Sequence, residues 1–312
     1  SSAVALAAEV RSAYFHAVAA RQTAQFMTRA QQAAEAGAEL AQRMQQIGNW
    51  NRLDTAREQL FYADATATLA RSQHEERIAR ERLIRLLGLW QSDDVLQLPD
   101  TLPALPVMPR DSAELQKQAL ENRLDIQLAK QETSATAQAL GLTKATRFVN
   151  VLDLGYRNKS EPGAARRDGY EIALELPLFD WGTARTVKAE ALYMQTLNRT
   201  ADIAIRARSQ VRESYSAYRT SYDLSRHYRD EVVPLRKKIS EEMQLRYNGM
   251  LVSVFDLLAD AGRQIDAVNA AINAQRDFWL AETELQAAIN GVGSQTAIPM
   301  KSNRVATINI EH

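Results

Sequence analysis

Cysteine is absent from the sequence, which removes disulfides, thiolate nucleophiles and cysteine-based zinc sites, and fits a periplasmic or a cytosolic setting equally. Glycine and proline are scarce, 12 and 8 in 312 residues, while Ala, Gln, Glu, Arg and Leu dominate, the composition of long helices and coiled coils. Neither sign of charge prevails: Lys plus Arg and Asp plus Glu both number 38. No basic field exists to hold a phosphate backbone, and nucleic acid is not an expected partner. No run of about 18 apolar residues occurs, which excludes a transmembrane helix, and Ser1 opens without the charged-then-apolar layout of a signal peptide. Any entry into a membrane must therefore be made by strands. The chain is long for one domain and lacks the mixed texture of two enzyme-like globules, so an extended, mainly α architecture with a small β part is expected.

What is present is periodicity. From Leu6 the positions Val10, Ala13, Ala17, Ala20, Ala24, Met27, Gln31, Ala34, Ala38 and Ala41 step by four and three, and all but Gln31 are apolar. This is a coiled-coil seam whose alanines let helix axes approach closely. The run breaks at Ile47-Gly48-Asn49. A second seam follows through Leu53, Ala56, Leu60, Ala63, Ala67, Ala70 and His74 to Gly88, so residues 1–89 read as an antiparallel helical hairpin with a tight tip. Residues 90–111 hold Pro99, Pro103, Pro106 and Pro109, a spacing that forbids helix and predicts an extended linker.

A helix is expected over 112–145, after which the period drops to two. Phe148, Leu152, Leu154 and Tyr156 share one face of a first strand, with Asn150 as a polar intruder. After the turn-rich stretch Asn158 to Gly169, a second strand places Tyr170, Ile172, Leu174, Leu176 and Leu178 on one face, with Glu171, Ala173 and Glu175 opposite. Each has roughly the 9–11 residues a tilted strand needs to cross a bilayer, with aromatics near the ends, so residues 146–179 read as a membrane-spanning β-hairpin with these apolar residues facing lipid. The same alternation suits a hairpin packed on helices, although both neighbouring helices are committed to seams. Arg166, Arg167 and Asp168 read as a charged loop tip. Residues 180–293 then form a second helical hairpin: a helix of about 65 residues from Thr183 with Pro234 as a kink, a tip at Asn248-Gly249-Met250, and a return along Leu258, Ala261, Ile265, Val268, Ile272, Gln275 and Trp279. Residues 294–312 are a tail.

The two hairpins are copies. An offset of 201 residues matches Val10-Arg11 to Val211-Arg212, Tyr14 to Tyr215, Gly48 to Gly249 and Glu81 to Glu282, and a slip of one then matches Asp54 to Asp256. The second copy alone owns a preceding helix and two strands, and their counterpart is expected upstream of Glu9.

The segment Leu176-Pro177-Leu178-Phe179-Asp180-Trp181-Gly182, leading from a strand into a very long helix, resembles the strand exit of the TolC-like outer-membrane efflux proteins. Arg246-Tyr247-Asn248-Gly249 at a tip, Asp256-Leu257-Leu258 after it, and the closing Leu285-Gln286-Ala287-Ala288-Ile289-Asn290-Gly291 resemble the same family, over about residues 5 to 293. The resemblance implies a homotrimer: long antiparallel coiled-coil hairpins forming a periplasmic α-barrel, a transmembrane β-hairpin contributing to a trimeric β-barrel, and the proline-rich link at an equatorial belt. In the family each protomer gives four strands, where this sequence shows two, and Gly249 to Asp256 is one residue longer than the family spacing.

The implied function is conduction: an outer-membrane exit duct of a tripartite efflux or type I secretion system, passing small solutes such as drugs or metal ions, with partners in a periplasmic adaptor, an inner-membrane pump and outer-membrane lipid. The tips Gly48, Asn49, Gly249, Met250, Leu251 and Val252 are implied to dock the adaptor, although a positive-φ cap explains a tip glycine by itself. Asp54, Asp256 and more weakly Asp260 are candidates for carboxylate rings that make a cation-favouring constriction, against the alternative of solvated or capping residues. No enzyme is expected: there is no phosphate loop, nucleophile elbow or catalytic carboxylate pair, His16, His74, His227 and His312 show no ligand spacing, and no cofactor is implied. His74 reads as a seam residue. The rival reading is a soluble periplasmic coiled-coil scaffold without a pore.

Overall fold

The computed structural model describes residues 2–89, 96–145, 151–159, 167–175 and 183–291. Two compact units divide the chain, Ser1–Gln116 with Gln210–His312 and, separately, Lys117–Ser209.

In the first unit, α1 (Ser2–Gln46) and α2 (Arg52–Leu87) pack as an antiparallel hairpin. On α1 the expected seam is the buried face from Ala13 through Ala17, Ala24, Met27, Ala34 and Ala38 to Ala41. On α2 it is not. Leu53 and Leu60 are 58% and 61% exposed, the alanines and His74 of that row are exposed too, and the face turned to α1 carries Thr55, Glu58, Ser72 and Leu83. Small polar residues fit against an alanine row, and the hydroxyls lose little by burial: Thr55 Oγ1 donates to Asn51 O at 3.1 Å and Ser72 Oγ to Leu69 O at 2.9 Å. Hydrophobicity therefore marks the wrong side of α2.

The second hairpin is built from α5 (Thr183–His227), a π-helical turn (Tyr228–Val232), α6 (Val233–Asn248) and α7 (Val254–Ile289). The interruption expected at Pro234 is this π turn. Proline supplies no N–H to its preceding turn and crowds the carbonyl four residues back; here the ladder widens just before it, Val233 N–H donating to Tyr228 O. A π turn holds one residue more than an α turn. It accounts for the slip in the repeat: Tyr14 matches Tyr215 at an offset of 201 before the turn, while after it the equivalent helices α2 and α7, each of 36 residues, begin and end 202 apart.

Between the hairpins, residues 96–111 run as an extended strap over α1, the 210–227 part of α5 and α7. Its backbone has no ladder of its own, so side chains supply the partners. Trp279 Nε1 and Gln275 Nε2 both donate to Pro103 O, at 3.0 and 2.7 Å. Tyr222 Oη reaches the carbonyls of Pro106 and Val107 at 3.1 and 3.0 Å, and Tyr215 Oη that of Arg110 at 3.1 Å. The N–H groups of Arg110 and Leu102 donate to Tyr218 Oη and Gln22 Oε1, and Asp100 accepts from Arg21 and Gln25. Leu98 and Leu102 enter a core of Ala13, Phe15, Ala17, Val18, Leu83 and Ile272. Buried Glu282 of α7 takes Arg11 at 2.8 Å and Arg110 at 3.4 Å, tying α1, strap and α7 to one carboxylate.

The single helix expected over 112–145 is two, α3 (Ser112–Asn122) and, in the second unit, α4 (Leu124–Ala145). The break is Arg123, 3% exposed, which turns back to hold Asp125 in the first turn of α4 through two bonds of 3.0 and 2.7 Å. Thr133 of α4 and Thr200 of α5 meet at 2.8 Å, both hydroxyls also reaching Ala129 O. Two strands, β1 (Val151–Lys159) and β2 (Arg167–Glu175), pair antiparallel, with Leu152 opposite Leu174, Leu154 opposite Ile172 and Tyr156 opposite Tyr170. That register sets the alternating residues of both strands on one common face. The strands reach further toward the loop than the alternation suggests, taking in Asn158 on one side and Arg167 and Asp168 on the other; Phe148, Leu176, Leu178 and Arg166 lie outside the described residues.

Tyr222→Phe removes a donor shared by two strap carbonyls in a half-dry setting. A loss of about 1–2 kcal/mol is expected, read as a lower urea midpoint with an unchanged slope.

Candidate functional site: the hairpin tips

Both tips are closed by the same backbone device. After α1, Gly48 takes φ +78°, its N–H bonding Gln45 O at 3.0 Å and the next N–H, of Asn49, bonding Met44 O at 2.9 Å. After α6, the matching bonds are Met250 N–H to Tyr247 O and Leu251 N–H to Arg246 O, both 2.9 Å. The left-handed residue is therefore Met250, φ 55°, and not Gly249, which sits at φ −82°. Gly48 and Met250 are equivalent at an offset of 202, and each lies six residues before its aspartate, Asp54 or Asp256. The extra residue that separates Gly249 from Asp256 is thus the one admitted at the π turn. Sequence matching aligned the two glycines because glycine is the usual occupant of this conformation.

Beyond each tip the chain caps the next helix. Asn51 (φ −83°, ψ 161°) and Ser253 (φ −81°, ψ 162°) are the N-caps of α2 and α7. Asn51 Oδ1 accepts the Asp54 N–H at 2.8 Å, and its amide donates to Asp54 Oδ2. Ser253 Oγ accepts the Asp256 N–H at 3.3 Å while Asp256 Oδ2 takes the Ser253 hydroxyl at 2.7 Å and its N–H at 3.0 Å, a reciprocal capping box. The Ser253 hydroxyl first, and its backbone N–H second, hold the Asp256 carboxyl below the ordinary carboxylate range. Both aspartates thus have a capping role, which the N/S-x-x-D spacing makes legible in sequence, although sequence reasoning passed over Asn51 and Ser253.

The apolar tip residues are presented outward. Met250 is 95% exposed, Leu251 77% and Ile47 67%, with Gly48, Asn49 and Gly249 exposed and Val252 half-buried. Asp260 stands apart from the other two aspartates: it is 2% exposed, inside the hairpin, and its Oδ2 has no hydrogen-bond partner among the described residues. Of the residues expected to face lipid, Leu152, Leu154, Tyr156, Tyr170, Ile172 and Leu174 fall on the common face of the β-hairpin by register. No group of three or more metal-ligating side chains occurs among the described residues, and no described helix is long and apolar enough to cross a membrane.

In its long helices this chain shares the fold of solved outer-membrane channel proteins. A membrane protein from Pseudomonas aeruginosa superposes with a TM-score of 0.72 at 21% identity, over 95% of this chain and 68% of its own. The Neisseria gonorrhoeae MtrE outer membrane channel in its open state gives 0.70 at 20% identity, over 93% of this chain and 67% of its own. Among curated proteins, Protein CyaE of Bordetella pertussis is 25% identical over 230 residues, covering 69% of this chain and 48% of CyaE, so the chain spans about half the length of that relative. No family model matches.

Two outcomes test the tip geometry. Met250→Gly relieves a left-handed side-chain residue and is expected to stabilise by about 1 kcal/mol, whereas Ser253→Ala removes a cap and costs about the same; thermal melts read both. The lowered Asp256 carboxyl has the opposite pH sense to a raised one: its contribution is intact at neutral pH and is lost as pH falls through its depressed value, below the ordinary 3.8. The amide shift of Ser253 should therefore stay constant from neutral pH down to that range.

Proposed function

We propose that the chain is a subunit of a homotrimeric outer-membrane exit duct, the outermost part of a tripartite efflux or type I secretion system, conducting small solutes passively from periplasm to exterior. In this reading the paired helices form the periplasmic α-barrel, and the β-hairpin takes its place in a lipid-embedded barrel. The observation that carries it is the likeness in fold, over 93% of the chain, to the Neisseria gonorrhoeae MtrE outer membrane channel. The single chain also leaves rows of large apolar side chains open along both hairpins, Leu40, Leu53 and Leu60 in the first and Leu235, Ile239 and Leu245 in the second. Rows of that kind need cover, and copies of the same chain supply it in a ring.

The exposed Met250 and Leu251, with Ile47 on the other tip, are the surface on which a periplasmic adaptor docks, the adaptor in turn linking to an inner-membrane pump. Asp54 and Asp256 sit at corresponding heights of the two hairpins, so three chains would place six carboxylates at the tip end. Such a ring favours cations by concentrating negative potential. Asp260, turned into its own hairpin, is less suited to that task. Metal ions and drugs both remain within the range of a duct lined in this way.

Detergent-solubilised protein should run at trimer mass and open cation-preferring conductance steps in planar bilayers. The double substitution Asp54→Asn with Asp256→Asn should reduce the cation preference at least about twofold, by removal of the ring's field. A monomer that is soluble in plain buffer and silent in bilayers would instead identify a non-conducting scaffold.

A further inference from the structure

In the first hairpin the acidic side chain of Glu58 lies on the inner face of α2, 6% exposed, and its Oε2 has no hydrogen-bond partner. The other oxygen rests against Gly37 of α1, so closely that a Cβ on Gly37 would collide with Glu58 Oε1. A notch left by glycine thus admits a carboxyl group into the alanine-lined seam. The second hairpin repeats the feature. At the offset of 202 the counterpart of Glu58 is Asp260, also buried, also with an oxygen that has no partner. Each copy of the duplicated hairpin therefore buries an acid one turn past its capping aspartate, where a carboxylate without a partner is costly.

Neighbouring charges do not offset that cost at Glu58. Near Gly37 on α1, Glu35 is engaged by Gln31 and Tyr62, and Glu39 pairs with Arg43. On α2 itself, Asp54 is held by Asn51 and lies 3.6 Å from Arg57. Helix α7 shares a core cluster with α2 at Leu83 and Ile272, at the far end of the hairpin. Burial alone pushes the Glu58 carboxyl above its ordinary value.

We propose that Glu58 in the Gly37 notch is a pH-sensitive latch, which lets the tip-proximal turns of α1 and α2 close when it carries a proton and loosens them when it is ionised. The sign follows from burial. An acid held above its ordinary value of 4.5 contributes its full stabilisation below that value and loses it as pH rises through the raised one. The hairpin is tightest in mild acid and most easily opened toward neutral pH. The bearing on transport rests on the tips being the end of the duct that opens; the latch itself does not.

Amide hydrogen exchange on the full chain, corrected for the intrinsic chemical rate, reads the local opening of residues 38–46 and 54–60. In the parent protein the opening constant should climb with pH, by up to about tenfold per pH unit through the titration of Glu58, while amides near Leu83 hold steady. Glu58→Gln should flatten the climb. Gly37→Ala, which fills the notch and drives the carboxyl out to solvent, should flatten it as well, and serves where the first variant folds poorly. A climb that persists unchanged in either folded variant, or its absence in the parent protein, overturns the latch. Bilayer silence would overturn the duct and leave these exchange results standing.

Discussion

A proline-spaced segment has few ways of pairing its own backbone, and here residues 96–111 borrow almost every partner from the helices they cross. Phenolic, indole and amide donors from α5 and α7 meet the carbonyls of Pro103, Pro106, Val107 and Arg110, while Gln22 and Tyr218 receive strap N–H groups. Apart from Gln275 these donors are aromatic, and Tyr218, Tyr222 and Trp279 pack around Phe278, with ring centroids 5.4, 5.8 and 5.0 Å from it. One set of side chains thus fills the core and satisfies the connector. The strap joins the two hairpins alongside the direct packing of α1 on α7, where Phe15 and Trp279 stack at 5.2 Å, because its bonds run from α7 and α5 to a segment that leaves α2.

Within each hairpin a different constraint rules. Alanines on α1 bring the partner helix close enough that the inner residues of α2 are small or flexible along most of its length, Thr55, Glu58 and Ser72, with the bulkier Leu83 near its end. The larger apolar residues are displaced to the outside. A chain built in this way hides little leucine in its own hairpins and shows much of it to its surroundings, which links the internal packing directly to the proposed ring of copies.

Sequence legibility followed the same division. The long helices and the seam on α1 could be read, because each leaves a period or a breaker residue in the chain. The inner face of α2 could not, since hydroxyls that bond their own helix carbonyls pass as buried residues while counting as polar. Arg123 broke a helix that propensity would continue, through a bidentate hold on Asp125 that only three-dimensional proximity reveals. At the second tip the glycine was a decoy: Gly249 drew the alignment, although Met250 carries the left-handed turn. The capping roles of Asn51 and Ser253 stand in the sequence as an N/S-x-x-D signature ahead of each helix.

The π turn at Tyr228–Val232 gives the second hairpin one residue that the continuous α1 of the first does not have. Before it Tyr14 matches Tyr215 at an offset of 201, and after it the capping aspartates and the ends of α2 and α7 match at 202. In a closed ring of three chains the six hairpins would therefore approximate a hexad along most of their length. At the height of that turn only alternate members carry the swelling, and the rotational order there falls from six to three.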